Sequence, residues 1–159
     1  MTAEFAKLPF VGELRSAEAL SRRLGFAVRP HRIRVKPGRS AIVAWQREEA
    51  DRLGGLEDWG FTAVMTGTDK PANAQRRAAR HGQELTVHEA VGAGAHRPQA
   101  DSPSLAAGDA VLLSGGVLAD PKLGKEIART LDLLDGDVEV IGYNPGRRVL
   151  LRHTPRAEA

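Results

Sequence analysis

Cysteine is absent from the 159-residue sequence. That absence excludes a disulfide framework, a thiolate zinc site, an iron–sulfur cluster and a cysteine nucleophile together. Long apolar runs are also missing, and nothing approaches the roughly 20 apolar residues of a membrane span. Residues Met1 to Lys7 offer no basic stretch followed by an apolar one, so no signal peptide is expected. A cytoplasmic protein with no membrane partner is the resulting expectation. Aromatic residues are few, four Phe, two Trp and one Tyr, which argues against a stacking platform for single-stranded nucleic acid. The dinucleotide fingerprint Gly-x-Gly-x-x-Gly, the phosphate loop Gly-x(4)-Gly-Lys-Ser/Thr and the Gly-x-Ser-x-Gly elbow do not occur. The histidines His31, His81, His88, His96 and His153 never fall into a His-x-x-x-His spacing, and no metal site is expected.

What is present is a basic chain of ordinary domain size. A domain of this length buries roughly 70% of the surface its unfolded chain exposes, so it needs no staple to fold. The formal net charge is +3, with a sequence pI of 9.7, a balance that permits phosphate or nucleic-acid binding without demanding it. Arginine greatly outnumbers lysine, and a planar guanidinium suits bidentate contacts to phosphate or carboxylate. A GC-rich genome accounts for the same bias toward Arg, Ala and Gly.

Periodicity and punctuation predict three helices. Ser16 to Leu24 opens on a serine N-cap and stops at Gly25; Asp69-Lys70-Pro71 starts a second that runs from Ala72 to His81 and ends at Gly82. Asp120-Pro121 starts a third, with an apolar stripe of Leu123, Ile127, Leu131 and Leu134 closed by Gly136. Seven strands are expected: His31 to Val35, Ala41 to Gln46, Gly60 to Thr66, Glu84 to Ala90, Ala110 to Ser114, Val138 to Tyr143 and Val149 to His153. The fold class is therefore α+β, a mainly antiparallel sheet with about three helices on one face. It forms a single domain over residues 1–153, followed by a flexible tail over 154–159. The Gly/Ala/Pro/Ser-rich stretch Gly92 to Gly108 reads as a lid or a disordered loop.

The pattern Ile-x-x-x-Pro-Gly-Arg occurs twice, in Ile33 to Arg39 and in Ile141 to Arg147, each time before a short apolar strand. Both read as β-hairpins with a type II turn in a loop of about four residues. Chance recurrence of common turn punctuation is one explanation; duplication, or two edges of one sheet, is the other. Lys36, Arg39, Arg147 and Arg148 then place cationic donors beside glycine turns whose backbone N–H groups can approach an anion. These four are the candidate anion-binding residues, against the alternative that charged hairpin tips serve solubility.

Other candidates are weaker. His88 and Glu89 are adjacent in a strand and should point to opposite faces, which suits a structural histidine better than a base with its orienting acid. Ser114-Gly115-Gly116 ahead of Asp120-Pro121 resembles an anion-holding strand-to-helix turn, but the Asp120 carboxylate would repel the anion. Arg76, Arg77 and Arg80 give the second helix a basic face that suits either phosphate or the helix C-terminus.

The segment Val140-Ile141-Gly142-Tyr143-Asn144-Pro145-Gly146-Arg147-Arg148-Val149-Leu150-Leu151-Arg152 resembles the strand-turn-strand opening the N-terminal lobe of actinobacterial aminoglycoside/choline-type phosphotransferases, and Arg32 to Trp45 is similar. The resemblance implies part of a kinase-like small lobe, with the Asp69 to Gly82 helix in the place of that lobe's helix and ATP as the cofactor. It departs from the family in that Lys70 starts a helix whereas the family's lysine lies in a strand, and Phe61 to Met65 has no lysine. The catalytic His-Gly-Asp loop and metal-binding Asp are missing, so phosphoryl transfer would need a second polypeptide or a C-terminal lobe. The sequence thus points to a non-catalytic or accessory domain that binds a phosphate-bearing or other anionic ligand and has no catalytic residue or cofactor of its own. A small basic nucleic-acid- or protein-binding module is the alternative, and an enzyme built on His88, Glu89 and nearby arginines is a third reading.

Overall fold

The computed structural model describes residues 8–49, 54–66, 70–91 and 110–157. Helix α1 spans Val11–Leu14 and α2 Ala17–Leu24; strands β1, Val28–Lys36, β2, Ser40–Arg47, and β3, Trp59–Thr66, follow. Next come α3, Lys70–Ala79, β4, Thr86–Val91, β5, Ala110–Gly116, α4, Gly124–Leu133, β6, Gly136–Asn144, and β7, Arg148–Pro155. All seven expected strands and the three longer helices form, with ends shifted by a few residues. No described helix is long and apolar enough to cross a membrane.

Strands β1 to β5 make one antiparallel sheet in the order β1-β2-β3-β5-β4, while β6 and β7 form a separate two-stranded sheet. The central strands β2, β3 and β5 carry apolar side chains on both faces, which requires cover on both. On one face Ala41, Val43, Trp45, Val64 and Leu112 pack with Leu14 of α1 and Leu20 of α2. On the other, Phe61, Ala63 and Leu113 pack with Ala74 and Ala78 of α3, Ile127 of α4 and Val140 and Tyr143 of β6. The expectation of helices on one face is therefore corrected. Strands buried on both sides read as near-continuous apolar runs, as Ala41 to Trp45 and Ala110 to Leu113 do.

Local signals are realised in detail. The Ser16 hydroxyl accepts from the Ala19 N–H at 3.1 Å, and Gly25 closes α2 at φ +85°. Helix α4 begins later than expected, at Gly124, because the Asp120 carboxylate first holds the turn Pro121 to Leu123 through the Lys122 and Leu123 amides. Of the apolar stripe, Ile127 is buried, and Leu123 and Leu131 pack at its edge only partly covered. Thr154 and Pro155, expected in a flexible tail, instead pair with Asp137 and Gly136 in the last strand. The stretch Gly92 to Gly108 lies outside the described residues.

Candidate anion-binding cleft

Both Pro-Gly-Arg segments form the same turn. The Arg39 N–H donates to Lys36 O at 3.0 Å and the Arg147 N–H to Asn144 O at 3.0 Å, with Gly38 at φ +68° and Gly146 at φ +70°. Glycine meets the left-handed requirement at the third position of a type II turn without strain. Strand pairing resumes at Lys36 with Ser40 and at Asn144 with Arg148, so each loop is three residues, one fewer than expected. The hairpins belong to different sheets, and the tip of the second meets β1 of the first. Arg34 of β1 donates to Pro145 O at 2.8 Å, and a side-chain carbon built on Gly146 would lie 3.5 Å from Arg34 Nη2 and 3.6 Å from Lys122 Cδ.

The anchor of this junction is Asp120, which is 3% exposed. Its Oδ1 accepts from the Lys122 and Leu123 amides at 2.9 and 3.0 Å, and its Oδ2 from the Tyr143 hydroxyl and the Gly146 amide at 2.7 Å each. Four donors satisfy the buried carboxylate, as burial of a charge requires. The same contacts hold the tip of the β6–β7 hairpin against the start of α4. Burial, reinforced by the Asp120 charge and hydrogen bond, pushes the Tyr143 phenol well above its usual range.

Between the sheet, α3 and this junction lies a cleft of about 270 Å³. Arg34, Lys36, Lys70, Arg77 and Lys122 line it, and Asp120 is its one carboxylate among the described residues. The strand period places Arg34 and Lys36 on one face of β1, and the helical spacing i, i+3, i+4, i+7 places Lys70, Asn73, Ala74 and Arg77 on one face of α3. None of the five cations has a carboxylate partner within salt-bridge distance among the described residues. Their mutual repulsion is felt. The Lys36 ammonium is held below its usual range, first by Lys122 and then by its surroundings together with Arg34, Lys70 and Arg147. Burial and then Arg147 do the same to the Arg34 guanidinium, against the pull of Asp120.

Of the four residues singled out in the sequence, the structure brings one, Lys36, into the lining of this cleft. Arg147 is outside the lining, and its charge acts on both Arg34 and Lys36. Arg39 is exposed at the β1–β2 turn, where its carbonyl accepts from the Thr66 N–H and hydroxyl. Arg148 lines a second depression of about 470 Å³ with Arg32, Ile141, Leu150 and His31, whose ring stacks on Trp59 at 4.7 Å. Arg34, Lys70 and Lys122 were not singled out as ligand-binding residues. The first has a signal in its two-residue spacing from Lys36; convergence with Lys70 and Lys122 depends on tertiary packing.

Comparison with family models, with curated proteins and with solved structures finds no match for this chain. The geometry alone therefore bears on function. Ser114-Gly115-Gly116, which resembled an anion-holding turn, lies within β5, and the Ser114 hydroxyl is buried against Thr62 at 2.7 Å and His88 Nε2 at 2.8 Å. His88 sits at a bulge in β4, between Val87 and Glu89. The extra residue breaks the expected alternation. As a result His88 meets Ser114 while Glu89 binds Arg23 of α2 at 2.6 Å, both on the side covered by α2. Arg23 also binds Glu13 at 2.9 Å, which leaves Glu89 and Arg23 engaged with structural partners.

Proposed function

We propose that this chain is a non-catalytic, accessory domain that binds a phosphate-bearing ligand in the cleft between the sheet, α3 and the β6–β7 hairpin tip. The observation that carries the reading is the gathering of Arg34, Lys36, Lys70, Arg77 and Lys122 around one cleft whose single carboxylate among the described residues, Asp120, is already saturated by internal donors. Like charges held together are a standing cost to the fold, and an anionic ligand relieves it. Three strands, a helix and two further strands agree with the small-lobe resemblance and support an accessory role beside a catalytic partner. The hairpin that carries most of that resemblance stands outside the five-stranded sheet, and β3 has no lysine, so the cleft is the stronger support.

Titration calorimetry with inorganic phosphate and pyrophosphate in low salt tests this. Wild type should bind, and the Lys36→Gln/Lys122→Gln variant should lose roughly tenfold or more in affinity for each charge-assisted contact removed. Equal binding by both proteins, or none by wild type at millimolar ligand, refutes it.

A basic nucleic-acid-binding module is the second reading. It is favoured by the depression beyond the Arg34 bridge, where Arg32 and Arg148 flank the stacked His31 and Trp59 rings. It requires RNA or DNA affinity that falls steeply with salt and depends on Arg32 and Arg148 as much as on Lys36.

A further inference from the structure

We infer that the cleft takes a phosphomonoester carried on a small apolar or aromatic body, in preference to free phosphate or a polyphosphate chain. This rests on the anion-binding reading and adds to it the nature of the uncharged part of the ligand. Beside the cations, Ile42, Ala63, Met65, Ala74 and Pro121 also line the cleft. Ile42 and Met65 are only partly buried although they adjoin the core of that face, so apolar surface remains uncovered beside the positive charge. A bare phosphate would use the cations and leave that surface wet; a ligand with an apolar body covers it and gains the free energy of its desolvation.

Size and charge narrow the class further. At about 270 Å³ the cleft lies below the roughly 300 Å³ at which ordinary small-molecule pockets begin. That volume suits a phosphate with one ring or a short aliphatic group, and is too small for a stretch of nucleic acid. Asp120 cannot receive a ligand hydroxyl, because its two oxygens already accept from four donors. Among the described residues the uncharged polar side chains in the lining are Ser40 and Asn73, enough for an ester oxygen and little more. Met65 offers a polarizable thioether that favours an aromatic ring over a sugar.

The test is a ligand series on the intact wild-type chain by titration calorimetry at low ionic strength: inorganic phosphate, phenyl phosphate, pyrophosphate and tripolyphosphate. Phenyl phosphate should bind about tenfold more tightly than inorganic phosphate, the gain expected for covering part of one ring, and more tightly than either polyphosphate. In Met65→Gln, which keeps side-chain length while adding polarity, the ratio of the phenyl phosphate to the phosphate affinity should fall severalfold, with folding checked by circular dichroism. Affinity that follows ligand charge alone, with phenyl phosphate no better than phosphate, overturns this inference and leaves the anion-binding reading standing. Failure of all four ligands to bind overturns both. Should Met65→Gln not fold, the wild-type series alone decides.

Discussion

The Asp120 carboxylate accepts a hydrogen bond from the Gly146 amide at 2.7 Å, across 26 residues of sequence, and so fixes the tip of the last hairpin to the entrance of α4. The same oxygen accepts from the Tyr143 hydroxyl at 2.7 Å. Replacing Asp120 with alanine strands two buried or half-buried donors and frees the Pro121 to Leu123 turn. A loss of roughly 3 kcal/mol is expected, measured by urea denaturation, against about 1 kcal/mol for Tyr143→Phe, which removes one bond and leaves no donor unpaired. Equal small losses would show that the junction is not a stabilising element.

Tyr143 is the sole tyrosine of the chain, so its ionisation can be followed without interference near 295 nm. Burial and the neighbouring Asp120 charge raise the folded-state value above the ordinary phenol value of about 10. The stabilisation is complete below that ordinary value and is lost as pH rises, because the unfolded chain ionises there while the folded one does not. No tyrosinate signal should therefore appear at pH 10 while the fold persists. In Asp120→Asn the signal should appear at lower pH than in wild type, the neighbouring charge being gone.

Helix α4 shows how far apolar spacing can be trusted. Ile127 is 4% exposed and Leu133 is 85% exposed. Ile127→Ala should cost roughly 2–5 kcal/mol, while Leu133→Ala should stay within about 0.5 kcal/mol. Leu131, on the expected stripe but only partly covered, should fall between them. The reverse ranking would place the helix on its other face.

These elements also mark the boundary of what was legible beforehand. Caps, turns and strand periods are local, and Ser16, Gly25 and the paired Pro-Gly turns behaved as their chemistry requires. The placement of helices on both faces depends on β2, β3 and β5 being central strands, and that depends on pairing order. The His88 bulge changes alternation by a single residue that no spacing announces. The cleft is the clearest case. Lys36 comes from one of the repeated turns, whereas Lys70, Arg77 and Lys122 come from two other segments and reach the cleft only because α3 and the Asp120 turn pack on the same face.

His88 should give the chain a weakly acid-sensitive region. Burial, aided by the Arg23 charge and opposed by Glu13, holds its imidazole below the usual value of about 6.5. The stabilisation is present above that usual value and declines as pH falls toward the folded-state value, since in that window the unfolded chain binds the extra proton. Urea midpoints at pH 8, 6.5 and 5 should therefore fall more steeply in wild type than in His88→Gln, which keeps a partner for the Ser114 hydroxyl. Parallel pH profiles would show that the His88 site does not contribute.

Charge in the cleft should cost stability where it serves binding. Lys36 has Lys122, Arg34, Lys70 and Arg147 as its electrostatic neighbours and no acidic partner among the described residues, so a neutral glutamine at position 36 removes repulsion without removing a contact. Lys36→Gln should raise the thermal midpoint of the free protein at low ionic strength, and the gain should shrink as added salt screens the cluster. Added phosphate should raise the wild-type midpoint more than the variant's, because a ligand that binds the folded state stabilises it according to its affinity. Arg147→Gln should follow Lys36→Gln in both respects, since Arg147 acts on Arg34 and Lys36 alike. Arg39→Gln and Arg148→Gln should leave phosphate stabilisation within about twofold of wild type in affinity, a difference of roughly 0.4 kcal/mol, because neither lines this cleft nor, unlike Arg147, acts on Arg34 or Lys36. The comparison is made by thermal unfolding of the five proteins at two salt concentrations, with and without phosphate. If Lys36→Gln lowers the midpoint without ligand, or if Arg39→Gln and Arg148→Gln lose as much phosphate stabilisation as Arg147→Gln, the positive charges act as a diffuse surface rather than as one site.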